Sequence, residues 1–84
     1  MRREKSYRGI SKRLAVQYLE NLGGERVDDG AVEAADWRAD LSAETVDVAG
    51  SIRLTEVTVV FEGGEAALEE LIEDFDRKAM RAGG

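Results

Sequence analysis

The sequence predicts an α+β fold: a two-layer sandwich in which two helices cover one face of an antiparallel sheet, in the order β-α-β(3–4)-α. Three observations predict it. Apolar residues recur at helical spacing in two separate stretches, about 11–22 and about 64–81. Between those stretches, apolar and polar residues alternate, the period of a half-buried strand. Finally, a chain of 84 residues makes one domain. A domain of that size buries roughly 60–65% of the surface its unfolded form exposes. That is one core, with little room for a deep pocket.

A first strand is expected over about 3–9, in a stretch that holds Arg2, Arg3, Lys5 and Arg8 and in which Tyr7 and Ile10 do not alternate cleanly. Ser11 then offers an N-cap oxygen, and Leu14, Ala15, Tyr18, Leu19 and Leu22 form one stripe. Ile10, just before the cap, is placed to pack on Ala15 as a hydrophobic staple. Gly23-Gly24 ends the helix, since glycine tolerates the left-handed position past a helix end. Asp28-Asp29-Gly30 reads as a turn. From Ala31 to Leu41, Trp37, Ala39 and Leu41 alternate with Asp36, Arg38 and Asp40, which predicts one strand. Ser42-Ala43-Glu44 reads as a turn, Val46 and Val48 as a short strand, and Gly50-Ser51 as its end. Ile52, Leu54, Val57, Val59 and Phe61 carry the strongest strand signal, with a parity change that predicts a bulge near Thr55-Glu56. After Gly63-Gly64, Leu68, Leu71, Ile72, Phe75 and Ala79 form the second helical stripe. Acids at its start and bases at its end suit the helix dipole.

Composition excludes several chemistries. There is no cysteine and no histidine. Disulfides, thiolate nucleophiles, zinc-finger sites and imidazole bases are therefore out of reach. An enzyme is not expected, and neither is a bound cofactor or metal. The net charge is −6, and three lysines stand against nine arginines. A carboxylate-rich surface with few lysines resembles that of salt-adapted archaeal proteins, where it keeps the chain hydrated once charge repulsion is screened. No apolar run reaches the roughly 18 residues of a membrane span. The basic start is not followed by an apolar signal-peptide core. A cytoplasmic location is the expectation.

Several segments carry a family resemblance. They are Gly9-Ile10-Ser11 through Ala15, Tyr18 through Gly24, Trp37-Arg38-Ala39, Ile52 through Thr55, Phe61-Glu62-Gly63 and Lys78 through Gly84. Together they resemble the small domain fused behind some MoaD-related sulfur-carrier proteins, a domain of unknown function that also stands alone in archaea. The resemblance implies a fold like half of the TATA-binding protein: strand, helix, four strands, helix. It also implies an association with molybdopterin or sulfur-carrier pathways. It supplies no active site.

Two terminal features are candidates for function. The chain ends in Gly83-Gly84, similar to the tails of ubiquitin-like modifiers and sulfur carriers. An activating enzyme must thread such a carboxylate through a narrow channel, and residues without side chains fit. Residues 81–84 are expected to form a free tail. Helix termination accounts for the same glycines. Known sulfur carriers of this kind are β-grasp folds whose last strand feeds an extended tail, and the order read above differs from theirs. At the other end, residues 1–13 hold Arg2, Arg3, Lys5, Arg8, Lys12 and Arg13 with one acid, Glu4, a net of +5, while residues 14–84 carry −11. Such segregation suggests an anionic partner, either an acidic protein surface or nucleic acid. Only Tyr7 is interleaved for base stacking, which weighs against RNA or DNA. Pairing with carboxylates elsewhere in the fold, or protection of a strand edge, is the simpler explanation of the cluster, since a run of charge is usually a solvated face.

Weaker patterns read as structure. Asp28-Asp29 with Glu25 or Glu33 lacks calcium-loop spacing and reads as an acidic loop. Glu62-Gly63-Gly64-Glu65 lacks the lysine and glycine spacing of a phosphate loop and reads as a strand-to-helix turn. Ser11 and Thr55 have no histidine to activate them, and Trp37 reads as a core residue. The sequence thus points to a non-enzymatic domain acting through a protein partner, with a modifier activated at Gly84 and a nucleic-acid-binding module as alternatives.

Overall fold

The computed structural model describes the backbone of residues 1–83 and the side chains of residues 1–81. The element order is β1 (Arg2–Arg8), α1 (Lys12–Asn21), β2 (Glu25–Asp28), β3 (Ala31–Glu33), β4 (Trp37–Ala49), β5 (Ile52–Gly63) and α2 (Glu65–Gly83). The strands form one antiparallel sheet in the order β1-β5-β4-β3-β2. The α+β expectation holds, with both helices on one side of this sheet.

The sheet's parity sorts the core. Trp37, Ala39 and Leu41 on β4 and Val57, Val59 and Phe61 on β5 are buried, and they join Ala15, Val16 and Leu19 of α1 and Leu68, Leu71, Phe75 and Ala79 of α2 in one cluster. The even-numbered residues of the same strands face away from the helices. Arg38 lies there and pairs with Glu33 and with Asp40, the latter at 3.1 Å. The Asp40 carboxylate holds the Arg38 guanidinium pKa above its ordinary value.

α1 starts and stops as its sequence dictates. The Ser11 hydroxyl accepts a hydrogen bond from the Leu14 amide at 3.1 Å, and Ile10 is buried beside the first turn. At the other end Gly23 has φ +105, and the Gly23 and Gly24 amides donate to the Glu20 and Leu19 carbonyls at 3.1 and 3.0 Å. This pair of bonds is a Schellman closure. Gly24 then passes under the sheet so closely that a Cβ there would lie 2.4 Å from Val32 Cγ1 and 2.5 Å from the Trp37 ring.

Four expectations need correction. The stretch 31–41 is not one strand: β3 ends at Glu33, and the Ala34 amide donates to the Trp37 carbonyl at 2.8 Å across a tight turn into β4. β2 was not expected, because all four of its residues are exposed and nothing in them alternates. Ser42-Ala43-Glu44 is not a turn; β4 runs straight through it, paired with Thr58, Val57 and Glu56. The bulge lies not at Thr55-Glu56 but on the opposite strand, between Asp47 and Ala49. These last two share a cause. β1 ends opposite Glu56 and β3 pairs no further along β4 than Asp40, so the β4–β5 hairpin continues as a two-stranded arm clear of the helices. Polar residues there do not signal a break, since both faces meet water. Ile52 and Leu54 change parity because they sit on the open side, where they are 58% and 37% exposed.

The close approach at Gly24 yields a direct test. Gly24→Ala must push Val32 and Trp37 out of place, an overpacking cost of about 1–3 kcal/mol. Urea unfolding followed by Trp37 fluorescence should show the midpoint falling accordingly, and an unchanged midpoint would mean that the α1–sheet packing is looser than described.

Candidate functional site

The features able to meet a partner converge on β1 and the flank of α2. β1 forms one edge of the sheet. Bonds at its two ends fix its phase. The Met1 amine donates to the Gly63 carbonyl at 2.9 Å, the Gly63 amide donates back at 3.1 Å, and the Gly9 amide donates to the Thr55 carbonyl at 3.3 Å. In an antiparallel ladder the hydrogen-bonded pairs alternate. Residues 3, 5 and 7 therefore exchange bonds with β5, and residues 2, 4, 6 and 8 turn their N–H and C=O groups outward.

Side chains of β1 divide the same way. On the helix side, Lys5 Nζ donates to Asp76 Oδ2 at 2.5 Å and Tyr7 Oη donates to Asp76 Oδ1 at 2.6 Å. The Tyr7 ring meets Phe75 edge-on, with centroids 4.9 Å apart. One carboxylate on α2 thus clamps two residues of the edge strand. Partial burial, and then the hydrogen bond to the Asp76 carboxylate, push the Tyr7 pKa far above its ordinary 10.0. On the open side, Ser6 and Thr58 hydroxyls lie 3.1 Å apart and Arg8 Nε meets Glu56 at 2.9 Å.

The six basic residues of the amino-terminal segment do not make one patch. Lys5 is held by Asp76 and Arg8 by Glu56. Lys12 and Arg13 lie on α1 and line a different groove, between α1 and β2, with Arg26. Among the described residues, Arg2 and Arg3 form no ion pair. Of the diglycine, Gly83 is the last residue of α2 and Gly84 lies outside the described residues. The helix thus runs two residues beyond the expected 81.

Other candidates resolve into structure. Asp28 Oδ1 accepts the Gly30 amide at 2.8 Å, Asp29 pairs with Arg26 at 2.8 Å, and Glu33 pairs with Arg38. Among the described residues no cluster of acids has metal-binding geometry. Gly63 and Gly64 form the strand-to-helix turn, and Trp37 is buried in the core. Sequence reasoning missed Asp76 and its neighbour Met80, which is 75% exposed. A signal was present: Asp76 follows Ile72 by four residues, so an acid sits on the apolar stripe itself.

Beside this edge, Tyr7, Ile10, Ala79 and Met80 line an open groove of about 520 Å³, with Lys5, Arg8 and Asp76 at its rim. No helix among the described residues is long and apolar enough to cross a membrane. A family model described as archaeal MoaD-like protein matches residues 3–84, nearly the whole chain. The chain belongs to that family. Among curated proteins, no sequence matches this MoaD-like chain.

The Tyr7–Asp76 contact predicts an alkaline response. The folded chain keeps the Tyr7 proton where the unfolded chain, with pKa near 10.0, releases it. Stability from this group is therefore complete below that pH and declines as pH rises above it. Urea midpoints measured across alkaline pH should fall, and Tyr7→Phe should flatten the fall. Equal pH slopes in the two proteins would remove Tyr7 as its source.

Proposed function

We propose that this MoaD-like domain is a non-enzymatic protein-contact module of sulfur-carrier or molybdopterin pathways. The observation that carries the reading is the last element. α2 is a helix through Gly83, whereas an activated sulfur carrier presents its diglycine at the end of an extended segment. The family assignment supports the pathway, and the open architecture supports contact by surfaces. The element order, one strand, a helix, four strands and a helix, supports kinship with half of the TATA-binding protein. Its partner on this reading is a sulfur-carrier protein or the enzyme that activates one, in the cytoplasm. The acidic surface suits a salt-rich one.

A second reading has one observation in its favour. The family match extends through Gly84, which supports a reading in which the diglycine takes part in the family's role. On this reading an activating enzyme joins the Gly84 carboxylate to AMP from ATP with release of pyrophosphate, and sulfide or a lysine amine then takes the acyl group and releases AMP.

Intact-mass spectrometry of the protein from its native cells, together with binding to a sulfur carrier and its activating enzyme from those cells, separates the two. The contact module should carry an unmodified Gly84 and should bind one of these proteins without ATP, with affinity unchanged when Gly83 and Gly84 are deleted. A terminal thiocarboxylate, an isopeptide adduct, or binding lost with the two glycines would replace the first reading with the second.

A further inference from the structure

We propose that the outer edge of β1, with the groove beside it, takes an acidic extended segment of a partner protein as an added sheet strand. The proposal deepens the protein-contact reading and rests on it, and it names the surface and the chemistry of what docks there.

The backbone comes first. Residues 2, 4, 6 and 8 direct unpaired N–H and C=O groups away from the sheet, and Arg2, Glu4, Ser6 and Arg8 are all exposed. A row of such groups is a template for another strand. Next comes shape. Side chains on successive residues of an added strand point to opposite faces. Those on the helix side, opposite Lys5 and Tyr7, fall into the groove floored by Tyr7, Ile10, Ala79 and Met80. That floor is apolar, and Met80 is an exposed, flexible side chain able to close over what enters. On the open side the neighbours are Arg2 and Arg8, with Arg3 near the strand's start on the helix side.

Charge then selects the occupant. Of the four basic residues of β1, Lys5 and Arg8 are already paired with Asp76 and Glu56, while Arg2 and Arg3 form no ion pair among the described residues and are the charges open to an occupant. Two copies of β1 paired antiparallel about Lys5 would set Lys5 against itself and Arg2 against Arg8 twice. Like charges directly opposite are destabilising, and this is the register that pairs the strand over its whole length, so a full-length contact between two copies of β1 is disfavoured. A nucleic acid is disfavoured for another reason. Tyr7 is the single aromatic residue of β1, and its packing on Phe75 and its bond to Asp76 hold it in place, so β1 offers no series of rings on which successive bases could stack. An extended peptide with acidic residues on one face and apolar ones on the other satisfies the backbone, the groove and the arginines together.

The probe is a fluorescein-labelled peptide alternating glutamate and valine, matched in length to β1 and titrated by anisotropy at low salt. Binding should occur, with amide shift changes centred on β1, Ala79 and Met80. N-methylation of the backbone amides on one edge of the peptide should weaken it about tenfold or more, because it removes strand pairing without changing charge. Arg2→Glu should weaken it several-fold, and Met80→Glu likewise; both sites are exposed, so the fold survives. Equal affinity for the N-methylated peptide would reduce the contact to plain charge attraction and overturn the proposal. So would shifts centred elsewhere, tighter binding of polyuridylate than of the peptide, or self-association through β1. The peptide result is independent of Gly84 chemistry. A modified Gly84 sinks the contact-module reading and leaves strand docking standing, and failure of the peptide does the reverse.

Discussion

Phe75 is the residue on which the arrangement depends. It is fully buried, and three aromatic rings meet it edge-on: Tyr7 of β1 at 4.9 Å, Phe61 of β5 at 5.8 Å and Tyr18 of α1 at 6.0 Å. Edge-on aromatic pairs contribute about 0.5–1.5 kcal/mol each beyond the area they bury. One side chain on the last helix therefore ties together the other helix, the edge strand and the centre of the sheet. In so small a domain no second core can take over this role.

From that contact the partition of the surface follows. Placing Phe75 over Phe61 and Tyr7 brings Asp76, the next residue, to the rim of the sheet, where it takes a bond from Lys5 and another from Tyr7. The lysine pair is partly exposed and contributes little by itself, roughly 0–1 kcal/mol. Its role is positional: it holds β1 against β5 with the outward backbone groups of β1 still unpaired. Both helices are consumed in covering one face. The other face is a lattice of compensated charges around Arg38 and Glu56. Among the described residues the surface left open includes the β1 edge with its groove, the opposite edge at β2 with exposed Val27, and the apolar tip of the arm at Val48, Ile52 and Leu54.

Much of this was legible in the sequence. The stripes of α1 and α2 give both helices, because burial against a sheet imposes a 3.6-residue period that few other arrangements produce. Ser11 and Gly23-Gly24 mark the ends of α1 because capping is local chemistry, independent of tertiary contacts. The failures occurred where that dependence reverses. β2 has no buried residue and so left no pattern. The arm was divided at Ser42-Ala43-Glu44 because alternation reports burial, and a strand with water on both sides has none to report. The basic residues of the amino-terminal segment are neighbours along the chain, and the expected pairing with acids elsewhere in the fold holds for Lys5 and Arg8. The fold sends Lys12 and Arg13 to the far side of α1 and pairs Lys5 and Arg8 with acids 71 and 48 residues away. No sequence pattern short of a tertiary model announces such partners.

The central claim is that packing around Phe75 leaves β1 as a true edge, half of its amides bound inward and half facing water. Residue-by-residue hydrogen exchange on the free protein tests it most directly. The account predicts alternation along the strand, with slow exchange at Arg3, Lys5 and Tyr7 and fast exchange at Glu4, Ser6 and Arg8. Uniformly slow exchange over these residues would mean that something already covers the edge, and uniformly fast exchange that β1 is not held to the sheet at all.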